Sequence, residues 1–351
     1  NRHVVVLHSN LHLLNASRTV LEAANITAET NIEGIAKDAQ GNPTGELQEM
    51  AAKFMALDTI GLDYFTETAE KLSLDNFGRI ATQTGVTTAT DLFNAAPEAA
   101  VANLAAWTKE EDFRFRIAPA FGGATMPGAQ GVERVHELMK LNNDNLRFGI
   151  VKLVTDGSIQ GMTGRMKWPG YYNGEPNGVW NTGPDELEGL VQAYHDGGLQ
   201  VYIHVNADEA SEVALNAIEN VLTRSPRRDH RHTLQHCQMA DESQYRRMAA
   251  LGVGVNLFSN HIYYWGDEHR AKTMGPDRAK RANATATAQR LGVPFAIHSD
   301  APVTPLGPLF TAWCAVNRLT ASGYLLGPNE RISVGEALRA ITLGAAHAMK
   351  M

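Results

Sequence analysis

From Gly85 onward, short apolar or β-branched runs alternate with helical stretches, and this limits the fold more than any other feature. The strand-like runs are Val86–Thr90, Phe113–Ala118, Phe148–Val154, Leu199–Ile203, Arg231–Leu234, Gly252–Leu257 and Val293–Ile297. Helical patterns between them cover 97–108, 131–141, 184–196, 208–222, 241–251 and 277–291, with two more at 309–320 and 334–349. Strands that alternate with helices imply a parallel sheet, because a parallel return needs a long crossover. Seven such units are one short of a closed eight-strand barrel. The expectation is therefore an α/β fold of the (β/α)8 TIM type lacking strand 1, unless Val4–Leu7 supplies it. A doubly wound open sheet is the competitor. No glycine-rich phosphate loop follows an early strand, which counts against it.

Residues 1–84 are less regular. An opening strand at 3–7 precedes His8 and His12, and helical patterns fall near 17–24, at 46–56 and up to about Thr84. Gly41-Asn-Pro-Thr-Gly45 reads as a turn cluster. With no linker in view, 1–84 is expected to be an insertion or lid of the barrel domain, and 85–351 the barrel itself. The chain opens at Asn1 within a strand pattern and ends at Met351 just after a helix. Both ends read as cut, so a signal peptide would lie out of view.

Composition narrows the function. With 31 basic and 38 acidic residues the net charge is −7, and no basic run offers a nucleic-acid footprint. No apolar run is long enough for a membrane span. Two cysteines make no disulfide framework and fit a cytoplasmic location. The expected partner is a small-molecule substrate, with a homodimer as a possible assembly.

Barrel enzymes build their sites at the C-terminal ends of strands. There stand Lys152, His204, His236 and Asp300. Each has a bland alternative: a hydrogen-bonded core histidine, an edge-strand lysine, a loop-capping aspartate before Pro302. Converging on one mouth, imidazole and carboxylate suit zinc or a similar divalent ion. A desolvated lysine has a lowered pKa, and its neutral amine can add carbon dioxide to become a carbamate that bridges two metals. Asp300 could ligate and carry the proton of the attacking water. His261 follows the sixth of these strands and could stabilise an oxyanion or bind substrate, against a purely structural aromatic loop with Trp265. Asp156 and Asp208 read as loop supports, and Arg165 and Arg231 as surface ion pairs.

These strand-end segments resemble the amidohydrolase superfamily, and more closely its family 3 branch, which includes N-substituted formamide deformylases. The segments are Gly85-Val-Thr-Thr88, Val151-Lys-Leu-Val-Thr-Asp-Gly157, Ile203-His-Val-Asn-Ala-Asp208, Arg231-His-Thr-Leu-Gln-His236 and His298-Ser-Asp-Ala-Pro302. Pro43-Thr-Gly-Glu-Leu-Gln-Glu49 is similar to that branch's insertion. The resemblance implies one or two divalent ions, zinc above all. Lys152 would be carboxylated, His204 and His236 would be ligands, and Asp300 both ligand and general acid/base. His12, Glu49 and Trp265 become candidates for substrate binding. Two departures stand out: the superfamily's His-x-His on strand 1 is absent, since His8 and His12 have the wrong spacing, and so is the flanking β-sandwich. The implied function is hydrolysis of an amide or related C–N bond. A single-metal deaminase of the same superfamily and a metal-free barrel serving as a binding protein are the alternatives.

Overall fold

A computed structural model describes residues 2–62 and 71–351. Eleven strands fall in two sheets. The first is antiparallel, order β1-β2-β4-β3, from β1 (Val5–Leu7), β2 (Leu13–Ala16), β3 (Ile35–Lys37) and β4 (Pro43–Gln48). The second holds seven parallel strands in strict chain order: β5 (Thr88–Asn94), β6 (Arg116–Gly122), β7 (Ile150–Val154), β8 (Gln200–Val205), β9 (Thr233–His236), β10 (Gly254–Leu257) and β11 (Phe295–Ile297). All seven expected strands are present, each shifted by a few residues. β1 joins the antiparallel sheet, so Val4–Leu7 does not complete the parallel one. Among the described residues β5 and β11 are the free edges of a half-barrel.

The strands of the parallel sheet are nearly continuous apolar runs because both faces are covered. Val151, Leu153, Val201, Ile203, Val205, Leu234, Val255 and Leu257 face the helices and form the main core. On the other face the register aligns Val154, His204, Gln235, Asn256 and Ala296 in one row. Polar side chains in such a row line an interior rather than a core. The helices start and stop on local chemistry. Asp241 and Gln244 close a capping box on helix 242–251, and Gly252, at φ +70°, ends it in the left-handed region that only glycine takes cheaply.

Two expectations need correction. Pro43–Gln48 is a strand, not a turn followed by helix; β-pairing to both β2 and β3 overrides its turn-rich composition, and the helix begins at Glu49. The pattern at 277–291 breaks into helices Gly275–Ala279 and Thr285–Arg290. Between them the carbonyls of Lys280, Ala282 and Asn283 turn to the Arg318 guanidinium instead of to helical N–H groups. Residues 1–62 also carry a small core of their own around Leu14, Val20, Ile35, Leu47 and Leu57. Part of the helical pattern expected up to Thr84 lies outside the described residues, and the rest is helix Lys71–Thr84. No helix among the described residues is long and apolar enough to cross a membrane.

Below the sheet, His195 and His232 form a closed hydrogen-bond set. His195 Nε2 bonds the Ser225 carbonyl at 2.7 Å, leaving Nδ1 to accept from His232 Nε2 at 2.9 Å. His232 Nδ1 in turn accepts from the Val201 N–H at 3.0 Å. One donor and one acceptor per ring require neutral imidazole, and burial holds the His232 pKa well below its ordinary value. The unfolded chain then binds the proton that the folded chain refuses, so this stability is complete above about pH 6.5 and lost as pH falls below it. The urea midpoint is expected to drop between pH 7.5 and pH 5, and less steeply in His232→Gln. Equal slopes in the two proteins would remove this group as the cause.

Candidate active site

The C-terminal ends of the parallel strands open into a cavity of about 460 Å³. Lys152, His204, His236 and Asp300 all line it, together with His12, Glu49 and Lys53. A cleft of similar volume, about 470 Å³, lies at the opposite end of the sheet beside Arg147 and Lys350 and holds none of these groups.

Lys152 sits mid-strand in β7, only 3% exposed, and its Nζ makes no hydrogen bond or ion pair among the described residues. Burial pulls its pKa down, opposed by the charge of Asp300. Burial likewise pushes the Asp300 carboxyl up, opposed by Lys152. His204, in β8, places Nε2 3.2 Å from the Gly157 carbonyl. The Asn206 side-chain amide reaches the same nitrogen at 3.1 Å, so the ring is held in place from two sides. His236 shows how local backbone serves the site. Strand alternation would turn it to the helix layer, beside Leu234. Instead His236 and Cys237 adopt φ +67° and +45°, so Cys237 takes the core position and His236 faces the cavity. Asp300 is also left-handed, at φ +54°. Non-glycine residues in this region are costly and gather at functional sites.

His298 stands outside the expected ligand set of Lys152, His204, His236 and Asp300. It follows β11, and its Nε2 lies 3.0 Å from His236 Nδ1 and 3.9 Å from Asp300 Oδ1. His236, His298 and Asp300 each offer one ligand atom, all within 4.8 Å of one another. The sequence signal was available: His-x-Asp at a strand end sets both side chains toward one mouth. Burial keeps His204 and His236 well below the usual imidazole range and lowers His298 to about 3. Neutral nitrogens and a carboxylate are the donors a divalent cation of the zinc type needs, so the residues fit such an ion.

His12 and Glu49 meet beside this group: His12 Nδ1 is 2.9 Å from Glu49 Oε2, and the His12 ring lies 5.1 Å from that of His204. Burial pushes the Glu49 carboxyl up, but the charge of His12 and hydrogen bonds from His12, Asn181 and Thr163 outweigh it and hold the pKa down. Asn181 bridges the N-terminal segment to the parallel sheet's loops. Its Nδ2 donates to Glu49 Oε2 at 2.7 Å and to the Asp156 carbonyl at 3.0 Å, while Oδ1 accepts from Met50 N. Asn181→Ala is expected to cost about 2–3 kcal/mol by orphaning buried groups, read as a lower melting temperature; an unchanged melt would mean the bridge carries nothing.

His261 and Trp265 are not among the side chains lining the cavity. His261 is fully engaged, Nε2 with Gln238 and Nδ1 with His269, each at 2.9 Å, and Trp265 packs on it at 4.4 Å. They stand behind Phe258, which stacks on His298. Asp156 accepts the backbone N–H groups of Arg165, Asn206 and Ala207, ordering the loops after β7 and β8. Asp208 accepts from Lys167 N, and Arg165 and Arg231 pair with Glu209 and Asp229.

The chain is 28% identical over 348 residues to YtcJ of Bacillus subtilis (strain 168), covering 95% of this chain and 63% of that protein, less than two thirds of its length. It is 29% identical over 151 residues to the N-substituted formamide deformylase of Arthrobacter pascens, covering 43% of this chain and 28% of that enzyme. Among solved structures, an uncharacterized metal-dependent hydrolase from Pyrococcus horikoshii OT3 superposes with a TM-score of 0.73 at 20% identity, covering 99% of this chain and 67% of that one. At that identity the likeness speaks for the fold alone. The model of the family described as "Amidohydrolase family" matches residues 1–351, and the chain belongs to that family.

Proposed function

We propose that this chain is the catalytic part of a metal-dependent hydrolase that cleaves an amide or related C–N bond. On this reading the seven parallel strands belong to an eight-stranded barrel whose first strand lies outside residues 1–351, and residues 1–84 cover its mouth. The observation that carries the reading is the convergence of Lys152, His204, His236 and Asp300 on one cavity. Among the described residues the Lys152 amine there has no hydrogen-bond or ion-pair partner to explain its burial.

His204, His236 and Asp300 would hold a divalent cation, probed first as zinc, and Lys152, once its neutral amine had added carbon dioxide and lost one proton, would offer a carbamate to it. When bound, the cation lowers the pKa of water and polarises a carbonyl. Asp300 accepts the proton of the attacking water as the C–O bond forms, then gives it to the nitrogen as the C–N bond breaks. Glu49 fixes the His12 ring beside the reacting centre. Opposite, Leu92, Phe93, Val101, Leu104, Trp107 and Phe148 line the cavity, which suits an apolar substituent on the substrate.

The test is elemental analysis after dialysis, followed by amine release from a panel of N-substituted formamides and N-acyl amines. The expected result is bound zinc or a similar ion, turnover abolished by chelation and restored by zinc. Absence of a bound divalent ion, or full activity in Lys152→Ala, defeats the proposal.

A further inference from the structure

We infer that His298 is itself a ligand, and that His236, His298 and Asp300 form one face of a tetrahedral site able to hold a single cation without Lys152. The inference rests on the metal-dependent reading above and goes beyond its ligand set.

The separations carry it. His236 Nδ1 lies 3.0 Å from His298 Nε2 and 3.8 Å from Asp300 Oδ2, and His298 Nε2 lies 3.9 Å from Asp300 Oδ1. Metal–ligand bonds of 2.0–2.1 Å in a tetrahedron set the ligand atoms roughly 3.3 Å apart. The nitrogen–nitrogen edge is shorter than that figure and the two carboxylate edges, which run to different oxygens, are longer, so a cation among them needs the Asp300 carboxylate to close on the two rings.

The plain alternative is a proton shared by two imidazoles. It accounts for the 3.0 Å edge alone. The carboxylate is too far from either ring to be hydrogen-bonded to it. Yet it is turned against both, and its oxygens accept no hydrogen bond among the described residues. Asp300 reaches this position through its left-handed backbone, which folds the carboxylate back toward His298. Apart from its contact with His236, the His298 side chain makes no hydrogen bond among the described residues. Its Nδ1 is buried without a partner, and the ring is fixed by stacking on Phe258 at 5.1 Å while its backbone N–H bonds the Leu257 carbonyl. His236 Nδ1, His298 Nε2 and the Asp300 carboxylate face one another, and a cation among them would take the place of the His236–His298 hydrogen bond and engage the carboxylate as well. Two imidazoles and a carboxylate favour zinc, cobalt(II) or iron(II) over calcium or magnesium.

His204 stands on the far side of His236, rings 4.6 Å apart, with its Nε2 engaged by Gly157.

The test is a titration of the dialysed chain with cobalt(II) and with zinc against a competing chelator. Wild type is expected to take one cation tightly. His298→Gln should weaken it at least about 100-fold and alter the visible cobalt spectrum, since loss even of outer partners weakens sites 10- to 100-fold. Lys152→Met should keep that cation within about threefold. Wild-type affinity and spectrum in His298→Gln overturn the inference while leaving the hydrolase reading in place. So does complete loss of binding in Lys152→Met. If wild type binds no divalent cation, the hydrolase reading fails and takes this inference with it. Should His298→Gln not fold, wild type loaded with cadmium-113 decides by nitrogen-15 NMR: a metal coupling at the His298 ring supports the ligand role, and its absence overturns it.

Discussion

Asp300→Asn lowers kcat at least about 1000-fold and leaves the melting temperature of the metal-free chain nearly unchanged. General acid–base groups contribute roughly 100- to 10,000-fold, and this change also removes a charged ligand. The variant is a clean one. Asparagine matches aspartate in volume and tolerates the φ of +54° found at position 300 better than almost any other residue. Lys152→Met should be equally inactive, yet more stable without metal. Burial lowers the Lys152 pKa, so the unfolded chain holds that proton more tightly. A group with that shift opposes folding below its unfolded pKa of about 10.4, and a methionine of similar shape removes the penalty. A rise of about 5 °C in the apo melting temperature is expected. Activity and thermal melts on the same preparations check both claims. Full turnover in either variant would end the proposed chemistry, and a large fall in the melt of Lys152→Met would mean that the lysine supports the fold.

The parallel half of the fold was legible because each strand is buried on both faces and bounded by a helix with ordinary start and stop signals. The places of Lys152, His204 and Asp300 on the cavity were legible for the same reason: a polar residue within or just after an apolar strand has few places to go. His236 was legible only through its motif. Alternation alone would turn it away from the cavity, and the left-handed turn at His236 and Cys237 cannot be read from period-two patterning. The antiparallel sheet at 5–48 was missed because its strands are short and rich in turn residues; pairing partners far apart in sequence decide them. His261 and Trp265 looked like mouth residues because they follow a strand end. The helix 261–268 instead turns His261 inward to Gln238 and His269, a contact set by tertiary packing.

Arg318→Met is expected to cost about 3–5 kcal/mol, the range for removing one member of a buried charged network. Arg318 is 0% exposed, and four carbonyls serve it in place of a carboxylate: Leu326, Asn283, Lys280 and Ala282. Burial lowers even its guanidinium, to about 10, against the charge of Glu330. Methionine relieves that desolvation but takes the guanidinium donor from the Leu326, Lys280 and Ala282 oxygens, each a penalty of about 1–3 kcal/mol, so the loss wins, while the Asn283 oxygen keeps the Thr285 N–H at 2.8 Å. Arg318→Lys should recover little, because a single ammonium cannot reach four acceptors arranged around a planar fork. The consequence reaches the cavity. The Asn283 N–H donates to the Gln238 carbonyl at 2.9 Å, and Gln238 follows directly on the left-handed turn that aims His236. Loosening the 280–283 segment therefore loosens an imidazole that the metal reading needs. Arg318→Met should melt about 5–10 °C lower and bind zinc more weakly while folded, although it lines no part of the site. Chemical denaturation with zinc titration below the melt reads both effects. A loss of stability with unchanged zinc affinity would show that His236 is held by its own strand alone.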